Sequence, residues 1–238
     1  MGYYPLLAAE KDMTGIAILG GNTTTAPFGA KFPGIANNPI AICVPAKRHR
    51  PLILDMALSQ AAGAKLILAK EKGVPIPEGW AFDKDGNPTT DPSKAAFLTP
   101  LGGPKGSGLS IMLECLTGVM VGFPKVEPVV TYKEPPYGLG SPVGNPERIR
   151  RHLQNSAVAA IDIRQFTDVA IYKEHIDNLI DGIKALPKAE GFSEIFVPGE
   201  PEWRFYDERT QKGIPLPEKT YQNLQKVSDR FSLKLTTL

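Results

Sequence analysis

The apolar positions of the chain fall into short runs that predict helices and strands in alternation. Residues 3–11 place apolar side chains at helical spacing behind Pro5, a residue that a first helical turn tolerates. The next runs, at 15–19, 39–44 and 52–55, are continuously apolar and predict buried strands. An alternation of this kind is typical of an α/β fold.

Two longer segments predict helices. Residues 56–72 combine Ala, Leu and Lys and end at Gly73, a common C-terminal helix signal. Residues 105–122 are apolar on nearly every face, which favours a helix packed on both sides. This second segment contains Glu114 and is shorter than the ~20 residues that a bilayer span needs. We therefore expect no membrane association.

The second half of the chain begins with a segment of different composition. Residues 124–155 are rich in Pro, Gly and Tyr and predict an irregular excursion. The elements predicted after it are, in order, a strand (157–163), an amphipathic helix (173–185), a strand leading into a loop (195–199) and two surface helices (202–212 and 217–231).

Composition narrows the class of protein. The 238 residues are 42% hydrophobic and 22% charged, as expected of a globular chain, and the net charge of +2 argues against a nucleic-acid partner. Cys43 and Cys115 lie in apolar runs, which predicts buried, reduced thiols in a cytoplasmic protein. No cluster of histidine, cysteine and carboxylate residues has metal-ligand spacing, so we expect no metal site.

Asp55 is the first candidate for chemistry, because it lies where a predicted strand meets a predicted helix. Its carboxylate can face a ligand at the carboxyl end of the strand, where open α/β sheets place their ligands. It can equally accept from the first amides of the helix as an N-cap. The two roles are compatible, and the residues leave both open.

A glycine-rich segment at 102–108 opens the second predicted helix. Its backbone amides and the ammonium of Lys105 can meet a phosphate at the positive end of the helix dipole. It is not a P-loop, because Pro104 precedes the lysine and Gly106 follows it. Alternatively, the glycines serve a tight turn and close helix packing, with the lysine solvated.

Three further segments are turn-like. Residues 20–24 follow a predicted strand but lack the Gly-x-Gly-x-x-Gly pattern, which excludes a Rossmann dinucleotide site. The Asn37-Asn38-Pro39 segment predicts a turn, and residues 83–87, with their Asp-Gly and Gly-Asn pairs, predict a tight turn.

Taken together, four segments resemble the malate/L-lactate/ureidoglycolate dehydrogenase family, whose members lack a Rossmann fold and reduce 2-oxo acids or cyclic imines with NAD(P). They are Leu-Asp-Met-Ala at 54–57, Gly-Val-Pro-Ile-Pro-Glu-Gly-Trp at 73–80, Asp-Lys-Asp-Gly-Asn-Pro-Thr-Thr-Asp at 83–91 and Pro-Leu-Gly-Gly-Pro-Lys-Gly-Ser-Gly at 100–108. The resemblance is strong over 2–122 and weak over 156–231. It implies one interleaved α/β NAD(P)-binding domain over 1–238, with a mixed sheet flanked by helices.

The resemblance also implies a site for NADPH or NADH. The family's cofactor contacts correspond here to Gly21, Asn22, Leu54, Asp55, Met56, Ala57, Pro104, Lys105, Gly199, Glu200 and Pro201. The family usually has a hydroxyl residue at the position of Gly21, so Asn22 or Thr23 would replace it. Asp55 is implied to assist proton transfer. Without the resemblance, residues 199–201 indicate a strand-to-helix connection.

Residues 1–11 resemble a helix of the family. In family members this helix comes after the segment that carries the catalytic histidine. We therefore expect a chain that is N-terminally truncated relative to the family, and His49, His152 and His175 occupy no family catalytic position. The first hypothesis is a homodimeric NAD(P)-dependent oxidoreductase acting on a small 2-oxo acid, 2-hydroxy acid or cyclic imino acid. The second is a catalytically incomplete remnant that binds a dinucleotide or a partner subunit.

Overall fold

A computed structural model describes residues 1–21, 23–121 and 155–234 of the chain. Its contacts group these residues into two compact units, Met1–Leu179 and Ile180–Leu238. The single domain predicted over 1–238 stays a prediction. The excursion predicted at 124–155 lies outside the described residues, except for Asn155, which begins a strand.

The first sheet of the first unit has four antiparallel strands in the order β5-β4-β1-β9. Its strands are β1 Met13–Gly20, β4 Ile40–Val44, β5 Leu52–Met56 and β9 Asn155–Asp162. All four predicted strands are therefore confirmed. Helix α1, Tyr3–Ala9, packs on the central strand, and a Cβ at Gly15 would lie 2.4 Å from the backbone of Pro5. Glycine at this position thus permits the close contact.

The second sheet consists of short strands in the order β3-β2-β8-β6-β7. They are β2 Thr23–Thr25, β3 Ile35–Ala36, β6 Ala81–Phe82, β7 Pro88–Thr89 and β8 Phe97–Leu98, and β2 pairs with β8 in parallel. The predicted tight turn closes the β6–β7 hairpin. There the Asp83 N–H donates to the Asn87 carbonyl at 2.8 Å, and Gly86 has φ +77°.

Helix α2 runs from Gly63 to Lys72 and ends at Gly73 with φ +65°, so the predicted C-terminal signal is confirmed. The predicted start at residue 56 is wrong. β5 continues through Met56, and the Gln60 N–H then donates to the Thr99 carbonyl at 2.8 Å. Hydrogen bonds to a distant segment thus replace the first helical turns, although the local composition favours a helix.

Helix α3, Pro104–Glu114, continues as a π-helical segment, Cys115–Val119. The prediction that both sides are packed is wrong, because Leu109, Met112 and Leu116 are between 42% and 58% exposed. Cys43 is buried but Cys115 is exposed, so the prediction of two buried thiols fails for the second. No helix in the described part of the chain is long and apolar enough to cross a membrane.

The remaining helices are α4 Val169–Lys184, α5 Glu200–Lys212 and α6 Glu218–Arg230, which confirms three predicted helices. The strand predicted at 195–199 is wrong, because none of these residues has strand structure. The Val197 N–H donates to the carboxylate of Glu200 at 3.2 Å instead of to a neighbouring strand. The loop is therefore organised by the helix that follows it.

Two apolar clusters form the core of the first unit. One cluster consists of Ile18 of β1, Leu113 of α3 and Leu58, which follows β5. The half-buried Met56 and Leu101 pack against it. The other gathers residues of α2 and of the second sheet: Ala61, Leu66, Ala69, Ile76, Ala81 and Leu98. The first cluster brings β1, the end of β5 and α3 to one place.

Asp177 of α4 is fully buried and holds the basic turn between β4 and β5. Its carboxylate accepts from the backbone N–H groups of Lys47, Arg48 and His49 at 3.2, 2.8 and 3.2 Å. Burial raises the pKa of Asp177, but the three backbone hydrogen bonds and the nearby Arg48 guanidinium lower it more. The pKa of this carboxyl therefore lies below its ordinary value.

We predict that Asp177→Asn lowers the free energy of unfolding by about 1.5–3 kcal/mol at neutral pH, because hydrogen bonds to a charged group are lost. A lowered folded-state pKa contributes stability above the unfolded-state value of about 3.9, and this contribution disappears as the pH falls through the folded-state pKa. Urea denaturation should therefore show the wild type losing its advantage below about pH 4.

The matched control is Glu174→Gln, because Glu174 pairs with Lys47 at the surface at 3.3 Å. This change should alter the free energy of unfolding by less than about 1 kcal/mol. If the Asp177 variant unfolds like the wild type at every pH, the buried carboxylate does not stabilise the turn.

Candidate functional site

Asn37 and Asn38 connect β3 to β4 and bind two segments of the candidate site. The Asn37 carbonyl accepts from the Leu58 N–H at 3.1 Å, and its side-chain Oδ1 accepts from the Ser59 N–H at 2.8 Å. Asn38, with φ +37°, donates its Nδ2 to the carbonyl of Ser110 in α3 at 2.8 Å. Residues 37–39 have no turn structure, so the turn predicted there is wrong. This connection between β3 and β4 holds the segment after β5 against α3.

The glycine-rich segment forms a tight turn before α3. Gly102 and Gly103 have φ +58° and +64°, values that side chains disfavour. The Gly102 N–H donates to the Gln60 Oε1 at 3.2 Å, and a Cβ at Gly106 would lie 1.9 Å from the Leu101 carbonyl oxygen. The structural alternative, a tight turn with close helix packing, is therefore confirmed. It leaves a role for the lysine open.

Lys105 lies in the first turn of α3 and is exposed. Among the described residues its ammonium has no hydrogen-bond or ion-pair partner. The first N–H groups of a helix lack intrahelical acceptors, and the helix dipole places partial positive charge at this end. Ammonium and amides together form a locally positive surface suited to a phosphate or another anion.

The end of β5 carries four of the predicted site residues. Leu54 and Asp55 are exposed, whereas Met56 and Ala57 are half-buried. Met56 packs against the same cluster as Leu101, so the structure brings this strand end and the glycine-rich turn together.

Asp55 does not cap a helix, so the N-cap interpretation is wrong. β5 extends through Met56, and the residue before α2 is Ala62. The Asp55 Oδ2 instead accepts from the Met1 amino group at 2.6 Å and from the Gly2 N–H at 2.5 Å. The side chain is 41% exposed, and its Oδ1 has no partner within the described ranges. This carboxylate is therefore positioned through one oxygen only.

Gly21 follows β1 and is half-buried, and Asn22 lies outside the described residues. A Cβ at Gly21 would meet nothing within 4 Å, whereas one at Gly20 would lie 2.7 Å from the Thr117 Oγ1. Gly20 is thus required by the approach of the π-helical segment, and the predicted position 21 has open space beside it.

Gly199, Glu200 and Pro201 belong to the second unit, where they begin α5. Gly199 has φ +89°, and the Glu200 carboxylate accepts from the Lys184 Nζ at 2.7 Å and from the Arg204 guanidinium at 3.3 Å. Burial raises the pKa of Glu200, but the hydrogen bonds from Lys184 and the Val197 N–H bring it below its ordinary value. Sequence reasoning missed this ion-pair role.

Sequence reasoning also missed a cleft of about 580 Å³ beside the glycine-rich turn. It is lined by Thr99, Pro100 and Gly103 and by residues of three other segments: residues 26–31; Gln60; and Glu78, Gly79, Phe82 and Gly86. The available signal was an aromatic residue, Phe28, in an Ala-Pro-Phe-Gly segment directly after a short strand. Among the residues that the structure describes, no group of three or more metal-binding side chains could hold an ion.

Comparison with known proteins gives a consistent result. The family model described as malate/L-lactate dehydrogenase matches residues 1–225. The malate/(S)-sulfolactate dehydrogenase of Methanothermus fervidus is 34% identical over 238 residues, which is 99% of this chain and 64% of that protein. The (2R)-3-sulfolactate dehydrogenase (NADP(+)) of Chromohalobacter salexigens is 34% identical over 219 residues, 91% of this chain and 60% of that protein. This chain spans less than two thirds of these relatives.

The fold has solved counterparts. The structure of sulfolactate dehydrogenase from Methanocaldococcus jannaschii superposes with a TM-score of 0.77 and 36% identity, covering 98% of this chain and 63% of that chain. The predicted α/β class, with a mixed sheet and flanking helices, is confirmed.

We predict that Gly106→Ala destabilises the fold by about 2 kcal/mol or more, because the new methyl group would overlap the Leu101 carbonyl. Gly108→Ala is the matched control in the same helix, since a Cβ at Gly108 would meet nothing within 4 Å. That change should stabilise α3 by up to about 1 kcal/mol, the difference in helix propensity. Thermal unfolding followed by circular dichroism compares them, and equal effects would refute the packing argument.

Proposed function

This chain belongs to the malate/L-lactate dehydrogenase family, and we propose that it serves NAD(P)-dependent hydride transfer. The substrate would be a small 2-oxo acid, 2-hydroxy acid or cyclic imino acid. The observation that carries the proposal is Lys105, a cation without a described partner at the positive end of α3. The names of the relatives, malate and sulfolactate dehydrogenases, support a small carboxylate substrate.

The described residues fit a nicotinamide dinucleotide. The positive-φ glycine turn and the unpaired ammonium suit its phosphates, and the open space beside Gly21 leaves room for a ligand. We propose as contacts the residues that the family pattern implies: Gly21, Asn22, Leu54, Asp55, Met56, Ala57, Pro104, Lys105, Gly199, Glu200 and Pro201. When bound, the nicotinamide would supply the hydride acceptor or donor. Both NADH and NADPH remain candidates.

For proton transfer we propose Asp55. Hydride transfer from a 2-hydroxy acid requires its hydroxyl to lose a proton, which a positioned carboxylate can accept and return in the reverse reaction. The Asp55 side chain is held through Oδ2 by Met1 and Gly2, while Oδ1 has no partner in the described part of the chain. A carboxyl group held at one oxygen and accessible at the other suits this role.

A second candidate function is binding without turnover, either of a dinucleotide or of a partner subunit. It is favoured by the apolar stripe of α3 and its π-helical extension, Leu109, Met112 and Leu116, which is exposed in the single chain. The same stripe supports the proposal of a homodimer. We also propose a cytoplasmic location, supported by the free thiols of Cys43 and Cys115.

Lys105→Ala should weaken NADH or NADPH binding by about 1.5–3 kcal/mol, because a charge-assisted hydrogen bond to phosphate is lost. Lys72→Ala is the control, since Lys72 is also exposed and has no described partner but lies at the other end of a helix. Isothermal titration calorimetry measures both. Equal affinities of the two variants would remove Lys105 from the site.

Turnover of the wild-type chain is tested by following the absorbance of the reduced cofactor. The substrates are pyruvate, oxaloacetate, 3-sulfopyruvate and cyclic imino acids. Asp55→Asn should lower the rate by about 10²-fold or more while dinucleotide affinity is kept. Asp85→Asn, in the exposed β6–β7 turn, should leave the rate unchanged. Tight binding with no cofactor oxidation by any substrate would instead favour the second function.

We predict a dimer in light scattering at micromolar concentration, with the apolar stripe of α3 at the interface. Met112→Glu should convert it to monomer, because the carboxylate would have to be buried without a partner. Ile67→Glu on α2, where the side chain is 48% exposed, is the matched control. A monomeric wild type, or dissociation by the α2 change alone, would contradict the proposed interface.

A further inference from the structure

The cleft beside the glycine-rich turn is a feature that the proposed contacts leave unused. It measures about 580 Å³, within the range of small-molecule sites, and it touches the proposed phosphate site through Gly103. Gly103 precedes Lys105 by two residues, so their Cα atoms are within ~7 Å. A single ligand can therefore occupy the cleft and reach the lysine.

The Phe28 ring forms an exposed aromatic surface in this cleft. The side chain is 64% exposed, yet its backbone N–H donates to the Ser107 Oγ of α3 at 3.0 Å. A Cβ at Gly103 would lie 3.5 Å from two carbon atoms of the ring. The ring thus lies over the start of α3 in a defined position, which suits stacking of a planar ligand.

The loop that carries Phe28 is held at several points. The Ala26 N–H donates to the Leu98 carbonyl at 3.1 Å, and the Ala30 N–H donates to the Pro27 carbonyl at 2.9 Å. Gly86 of the β6–β7 turn packs so closely on this loop that a Cβ there would lie 2.4 Å from the Lys31 carbonyl oxygen. The cleft therefore exists before any ligand enters.

The cleft offers the Lys31 ammonium and one amide group of Gln60 as donors, and the Glu78 carboxylate as an acceptor. The Gln60 Oε1 is occupied by the Gly102 N–H, but its Nε2 has no partner among the described residues. Glu78 likewise has no described partner, whereas the Thr99 hydroxyl donates to the Gly79 and Trp80 carbonyls. Lys31 and Glu78 carry opposite charges, so their side chains give the cleft no net charge that would attract a small dianionic acid. A heterocyclic base with an amino group would donate to it.

We propose that this cleft binds the adenine ring of the dinucleotide, stacked on Phe28 with its amino group toward Glu78. The inference rests on the proposed function and assigns residues that the family pattern did not indicate. It divides the ligand between two regions, with the base in the cleft and a phosphate at Lys105. The nicotinamide half then lies outside the cleft.

The test is calorimetric binding to the whole chain of NADH, ADP and reduced nicotinamide mononucleotide. Phe28→Ala should weaken NADH and ADP binding roughly 5- to 100-fold, the range for loss of one base–aromatic stack. Binding of the mononucleotide should not change. Phe28→Leu, which keeps an apolar contact over Gly103, should show the same pattern. Phe166→Ala, at a phenylalanine that is 79% exposed elsewhere, is the control.

The hypoxanthine analogue of NADH provides a measurement that needs no variant at Phe28. It lacks the amino group, so the wild type should bind it more weakly than NADH, and Glu78→Gln should remove this preference. If NADH binds the wild type but neither Phe28 variant nor the analogue changes affinity, the adenine assignment is overturned and the proposed function stands. If neither NADH nor NADPH binds, both are overturned.

Discussion

The Asn37-Asn38 connection fixes the relative position of two segments: the strand end that carries Asp55 and the helix that carries Lys105. It satisfies the Leu58 and Ser59 amides on one side and binds Ser110 of α3 on the other. A buried amide left unpaired costs about 1–3 kcal/mol, so the positions of these segments are coupled. The connection also lowers the stability of the fold, because Asn38 has φ +37° and its buried Oδ1 has no partner in the described structure. A strained polar connection of this kind favours a single relative position of α3 and the segment after β5.

This connection also explains the unusual faces of α3. The buried face of the helix and its π-helical extension carries four polar residues beside the apolar Leu113: Ser107, Ser110, Glu114 and Thr117. The exposed face carries the apolar stripe. A soluble helix normally has the reverse arrangement, and both carboxylate oxygens of Glu114 are buried without a partner among the described residues. The Ser107 hydroxyl accepts from the Phe28 N–H, and the Ser110 hydroxyl donates to the Ala36 carbonyl. This face therefore anchors neighbouring segments, and the apolar side is left for a second surface, which supports the proposed dimer.

Sequence patterns predicted the helices and strands whose hydrophobic periodicity agrees with their burial in the fold. The strands of the first sheet and helix α4 were found because periodicity reports burial directly, whereas α5, which buries no residue, was predicted as a surface helix. The predictions at 56–62 and 195–199 failed because hydrogen bonds donated to the Thr99 carbonyl and the Glu200 carboxylate override local propensity. In the site, Lys105 was identifiable from its glycine-rich context. The cleft was not, because it joins the loop of Phe28 with Gln60 and Glu78, which are far apart in sequence.

For the glycine-rich turn, the structural and functional interpretations are not alternatives. Gly106 allows α3 to start against the Leu101 carbonyl, and Gly103 adopts a backbone conformation that places the next residues at the helix end. Lys105 is exposed at the positive end because these packing demands fix the first turn. A larger residue at either glycine would move the ammonium as well as strain the fold. Packing is therefore the means by which this chain positions the ammonium that we propose for phosphate binding.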